Sequence, residues 1–272
     1  MICGGKQTTV VKLAWGVGTG LLVFVFARLL VSLVLGPGAS APLWAPSGVA
    51  TIGIMIAGPI VLQFVFLGTF AAGILVQSFG VSFGMAALGT ISPGLVWLIL
   101  MRIKGRSFAL RSVSDAVVFG SVALISSAVP ALLGGVALVA LGVGSGSPFS
   151  TIAAWWLAEA AAILTIAPVA LVWDRSLDRP KIWAGAHTAA LVTILFSWYI
   201  YFTPLPAVIA QVIPFMFLPF FTLIAFKGGR RLMAVTVAVV ALIASVGTIQ
   251  GFGPFAGPVL RDSVLALDIV IT

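Results

Sequence analysis

Long apolar runs dominate the chain, separated by short polar or Gly/Pro-rich breaks. A membrane β-barrel would alternate apolar and polar positions with a period of two. Here the runs are continuous and near twenty residues long, the helix length that crosses a hydrocarbon core of ~30 Å. About ten segments are predicted. The first runs from Val10 to Leu35 and is followed by a Pro/Gly-rich loop, Gly36 to Pro46. The second, Gly48 to Ala57, is too short to cross alone and breaks at Gly58-Pro59. The third spans Ile60 to Val76, the fourth Val81 to Met101, the fifth Ala116 to Leu141 and the sixth Thr151 to Trp173. The seventh covers Thr188 to Phe202, the eighth Ala207 to Phe226 and the ninth Leu232 to Ile249. A tenth begins near Val264 and is cut at Thr272. The expected fold is therefore an all-α, polytopic transmembrane helical bundle, with residues 1–272 as one integral-membrane domain.

Composition sharpens this reading. Hydrophobic residues make up 61% of the chain and charged residues only 7%, against roughly 25% in soluble domains. Lipid offers the backbone no hydrogen-bond partner, so helices are the economical solution. The net charge of +8 does not point to nucleic acid, because the basic residues sit in short clusters between apolar runs. These are Arg102, Lys104, Arg106 and Arg111; Arg175, Arg179 and Lys181; and Lys227, Arg230 and Arg231. Two segments separate each cluster from the next, so all three can lie on the cytoplasmic side. Lys6 and Lys12 then fall inside as well, provided the short second segment is a crossing. Both termini are expected in the cytoplasm and the protein in a bacterial inner membrane. The first segment is too long for a signal-peptide core and is expected to be retained. The cut tenth segment suggests the membrane part of a longer chain, with a cytoplasmic output module after residue 272.

Few residues can carry chemistry. The one cysteine, Cys3, excludes an intrachain disulfide and a cysteine metal site. The one histidine, His187, excludes bis-histidine haem and any His-rich metal site. No catalytic triad spacing and no phosphate-binding glycine motif is present, so no cofactor and no enzyme activity is expected of this chain. Glu159 is the one carboxylate well inside a complete segment. Ionisable groups at such depth are paired, protonated or functional. Arg28 lies ~10 Å below the outer end of its segment and Glu159 ~12 Å below the outer start of its own, at 1.5 Å per residue. Equal depth predicts contact between them, direct or through one water, as a static clamp between two helices or as a ligand-responsive pair; alternatively Arg28 snorkels outwards alone. Trp44, Pro46 and Ser47 open the short second segment; they read as an interfacial Trp and a helix start, or as a binding site at a broken helix. Trp155 and Trp156 read as belt residues or as stacking platforms.

At Ala41-Pro42-Leu43-Trp44-Ala45-Pro46-Ser47-Gly48 the chain resembles the first-described type of the MASE family, the membrane-associated sensor domains of bacteria. The stretch from Trp155-Trp156-Leu157-Ala158-Glu159 to Pro168 resembles that family's W-x-x-x-[DE] segment ending in Pro. Gly251 to Phe255 resembles its turn before the last span, and Gly228-Gly229-Arg230-Arg231 its basic turn before the ninth. The family often has an Arg and a Trp where this chain has only Gly58-Pro59. The resemblance implies an inner-membrane sensor ahead of a histidine kinase or a diguanylate cyclase, in two-component or cyclic-nucleotide signal transduction. Its expected partners are the lipid bilayer, the output module in the same chain, and a second copy or another membrane protein. Ligand or sensing candidates are Arg28, Trp44, Pro46, Ser47, Trp155, Trp156 and Glu159. The competing reading is a secondary transporter or carrier, favoured by the broken second segment and by Glu159.

Overall fold

A computed structural model describes residues 8–33, 41–105, 108–140, 147–173, 183–204 and 207–253, with the side chains of 138–139 and 207–214 left aside. Among the described residues every regular element is helical. In order these are α1 Thr9–Leu33, α2 Ala45–Ala57, α3 Val61–Ile74, α4 Phe79–Lys104, α5 Val113–Ala140, α6 Pro148–Ile166, α7 Pro168–Leu171, α8 Ala184–Tyr201, α9 Ala207–Lys227 and α10 Gly229–Ile249. The four-residue α7 continues α6 past Ala167, where Pro168 supplies no backbone donor. Nine of the ten apolar segments expected from sequence thus appear, with ends shifted by a few residues. The tenth, from Val264, lies outside the described residues. Among the described residues five helices, counting α6 and α7 together as one, are long and apolar enough to cross a membrane.

The short second segment folds as its sequence predicts. Pro46 sits in the first turn of α2, where its missing N–H is not needed. The helix stops at Gly58, whose φ of 85° and ψ of −172° favour a residue without Cβ. Its N–H closes the last turn on the Ile54 carbonyl at 2.8 Å. Nearly the whole of α2 is buried, in contrast to α1, α4 and α5, each of which turns an apolar face outward. Leu21, Leu22, Val25 and Leu29 of α1 and Ile125, Leu132, Leu133 and Val136 of α5 are exposed. Such faces suit lipid, and α2 is the central post around which the bundle closes.

Small residues set the helix spacing. The carbonyl of Gly20 on α1 meets Gly68 on α3. A Cβ at Gly48 of α2 would come within 2.5 Å of the Ala162 carbonyl oxygen on α6. With lipid on the far side there is little hydrophobic force to bring helices together, so close backbone approach and its packing energy do that work.

The described basic residues of the α4–α5 and α9–α10 turns meet at one end of the bundle; Arg106, Arg175, Arg179 and Lys181 lie outside the described residues. Lys104 Nζ pairs with Asp115 Oδ1 at 3.0 Å across the α4–α5 turn. Arg230 Nη1 at the start of α10 donates to the Leu110 and Arg111 carbonyls at 2.9 and 3.1 Å. The Leu110 N–H donates to the Leu171 carbonyl, and the Trp183 N–H to that of Lys227. The Arg231 guanidinium lies 5.1 Å from the centroid of the Trp173 ring. At the opposite end Leu30, Leu43, Ala45 and Ile249 share one apolar cluster. The α4–α5 and α9–α10 turns, two of the three that the charge pattern puts on one side, are therefore together in space.

A buried carboxylate at the start of the short helix

α2 packs on α1, α3, α4 and α6, and its first turn meets α6 at Glu159. The Ser47 hydroxyl donates to Glu159 Oε1 at 2.8 Å. The Trp44 N–H donates to the carbonyl of the neighbouring Ala158 at 3.0 Å. Two hydrogen bonds thus fasten the start of α2 to α6, over 112 residues of sequence in the case of Ser47 and Glu159. Gly48 follows at once and allows the close approach to Ala162 that these bonds need. Glu159 and Ser47 are only 1% and 2% exposed.

The second carboxylate oxygen is different. Glu159 Oε2 is buried and closes no hydrogen bond. Ser92 of α4 and Trp155, one turn back on α6, stand next to the carboxylate. Ser92 Oγ is likewise buried and unpartnered. The placement follows from the packing of both α4 and α6 on α2 and α5: Val96 and Leu100 share a core cluster with Met55, Ala123, Ile163 and Ala167, and one turn back along α4 and α6 come Ser92 and Glu159. In membrane helices a serine or threonine hydroxyl commonly bonds its own i−4 carbonyl. Thr51, Thr165, Thr193, Thr236 and Ser127 all do so here. Ser92 does not.

Other sequence candidates resolve into distinct roles. Trp156 Nε1 donates to the Leu124 carbonyl of α5 at 2.8 Å, so this indole straps α6 to α5. The Trp155 ring lies against Gly134 of α5. Pro46 is buried and half-buried Trp44 precedes α2 at its N-cap position, with no side-chain hydrogen bond to the cap. Arg28 requires a correction. No ion pair within 4.0 Å joins it to Glu159; among the described residues the resolved pair is Lys104–Asp115. α2 packs between α1 and α6, and equal depth does not make two side chains face each other. Arg28 Nη1 is instead buried without a partner among the described residues. Ser92 was not a sequence candidate. Its signal is modest: a serine directly before Pro93 in the middle of an apolar run.

Among the described residues no group of three or more His, Cys, Asp or Glu could hold a metal ion. What α2, α4 and α6 build is a polar point in an apolar core, with one carboxylate oxygen committed and one free. No curated protein and no solved structure matches the chain. A family model described as MASE1 matches residues 15–269, nearly its full length, and takes in α2, α4 and α6 and with them the whole of this polar point. The chain belongs to the MASE1 family of membrane-associated sensor domains found in signalling proteins.

Proposed function

We propose that this domain is the sensory input of a bacterial inner-membrane signalling protein. In this reading a small ligand or a membrane partner acts on the outer half of the bundle. Its differential affinity for two arrangements of α2 against α6 shifts the last helix, and so a cytoplasmic kinase or diguanylate cyclase module. The observation that carries the reading is the Ser47–Glu159 bond at 2.8 Å. It is the one side-chain bond of the two hydrogen bonds that fasten the start of this short helix to α6, and a competing ligand can break it. α10, the helix that precedes the expected last segment, supports the route. Its residues Ala241 and Ile249 pack in the same cluster as Leu43, Ala45, Ala161 and Ala162, so a shift at the start of α2 reaches α10 through α6.

The test uses the complete gene in its host. Output is measured as kinase autophosphorylation or cyclic di-GMP level for wild type, Ser47→Ala and Glu159→Gln, at matched membrane abundance. The expected result is output displaced several-fold from wild type by both substitutions. Output unchanged in both would remove the contact from the signalling path. Substrate flux into vesicles that depends on Glu159, with no change in output, would favour a transporter instead.

A further inference from the structure

We propose that Glu159, Ser47 and Ser92 form a binding site for a small monovalent cation, with sodium as the probe. This deepens the sensor reading by naming a ligand class for the same contact. Three observations converge. Glu159 Oε2 and Ser92 Oγ are two buried oxygens that close no full hydrogen bond, brought next to each other from α6 and α4 with Trp155 beside the carboxylate. Ser47 Oγ adds a third oxygen, 2.8 Å from Oε1, and its lone pairs remain free to coordinate while its proton is donated. Carboxylate and hydroxyl oxygens are hard donors, suited to hard cations rather than to transition metals.

Charge selects the class. Glu159 has no ion-pair partner within 4.0 Å, and no second His, Cys, Asp or Glu joins it in a metal-binding group among the described residues. One carboxylate neutralises one positive charge. A divalent ion would leave an uncompensated charge in an apolar core, which is costly. A larger organic cation would need room, and Glu159 and Ser92 are 1% and 0% exposed in the closed bundle. A small monovalent cation satisfies both oxygens and cancels the charge; a proton on Oε2 is the rival occupant, which the pH arm of the experiment separates.

α10 packs on α6, the helix that carries Glu159. Ser245 and Thr248 of α10 are buried with unpartnered hydroxyls. They lie on the stripe of α10 that includes Ala241 and Ile249, since positions three and four apart share a helix face. A cation that draws Glu159 and Ser92 together therefore tightens α4 towards α6, the helix on which α10 packs.

The experiment is thermal unfolding of the purified 272-residue chain in lipid nanodiscs. It is run at one pH and constant ionic strength in sodium, potassium or choline chloride. Sodium at tenfold its dissociation constant is expected to raise Tm by about 3 °C over choline. The shift should vanish in Glu159→Gln and shrink in Ser92→Ala, which removes one ligand oxygen and leaves the carboxylate in place. Equal Tm in all three salts overturns the proposal, as does a full sodium shift in Ser92→Ala or Glu159→Gln. If Glu159→Gln cannot be purified, Ser92→Ala decides alone. A Tm that follows pH but not sodium identifies a proton as the occupant and also overturns it. Loss of the sodium effect with Glu159→Gln still altering output leaves the sensor reading standing; sodium binding with unaltered output leaves only the site.

Discussion

The Ser47–Glu159 contact invites a double-mutant cycle. Ser47→Ala removes the hydroxyl that holds Oε1 at 2.8 Å and leaves a buried carboxylate, 1% exposed, without that donor. Hydrogen bonds to charged groups contribute about 1.5–3 kcal/mol, and stranding the acceptor incurs its full desolvation cost. Membrane interiors temper this, with measured interhelical hydrogen bonds averaging about 0.6 kcal/mol and reaching about 1.7. A loss of about 2 kcal/mol is expected for Ser47→Ala. Glu159→Leu removes the carboxylate altogether, and the freed Ser47 hydroxyl can turn back to its own helix, so its cost should be smaller, about 1 kcal/mol. The double variant should then be little worse than Glu159→Leu alone, a coupling of about 1–2 kcal/mol. Reversible unfolding in bicelles by steric trapping measures all four corners. Costs that add within about 0.5 kcal/mol would show that the bond does not hold α2 to α6.

Gly48→Ala should lower stability by about 1–3 kcal/mol through overpacking, because the new Cβ meets the Ala162 carbonyl oxygen at 2.5 Å and Ile166 Cβ at 2.7 Å; an unchanged Tm would mean that α6 yields freely. Trp156→Phe keeps the aromatic body but loses the Nε1 bond to Leu124, so a drop of about 1 kcal/mol is expected; full wild-type stability would rule out the strap. Orientation is read by impermeant maleimide in a Cys3→Ser background. Phe149→Cys, 80% exposed, should label from outside, and Val113→Cys, 82% exposed, only after the membrane is opened; the reverse pattern overturns the orientation.

Helix identity was legible in the chain because it is a local property. Apolar length against bilayer thickness sets each span, and Pro46 and Gly58-Pro59 mark the start and stop of α2, found at Ala45–Ala57. The basic clusters announced a common side, and Arg230, Arg231 and Lys104 now hold their loops together at one end. Glu159 stood out as the lone deep carboxylate, because a charge in an apolar run is conspicuous wherever it folds. Its partner was not legible. Depth along the chain gave Arg28, but depth fixes only one coordinate of a side chain. The rotation of each helix about its own axis, and the neighbour it meets, depend on packing of the whole bundle. Gly48 lets α2 come close to α6, α2 takes the place between α1 and α6, and Ser47 rather than Arg28 reaches the carboxylate. Ser92, 67 positions from Glu159 along the chain, is brought beside it only because α4 and α6 both pack on α2 and α5. Sequence determined which helices form and where the charge is buried; tertiary structure alone decided what surrounds that charge, because contacts across a bundle are set by the facing of helices and not by their composition.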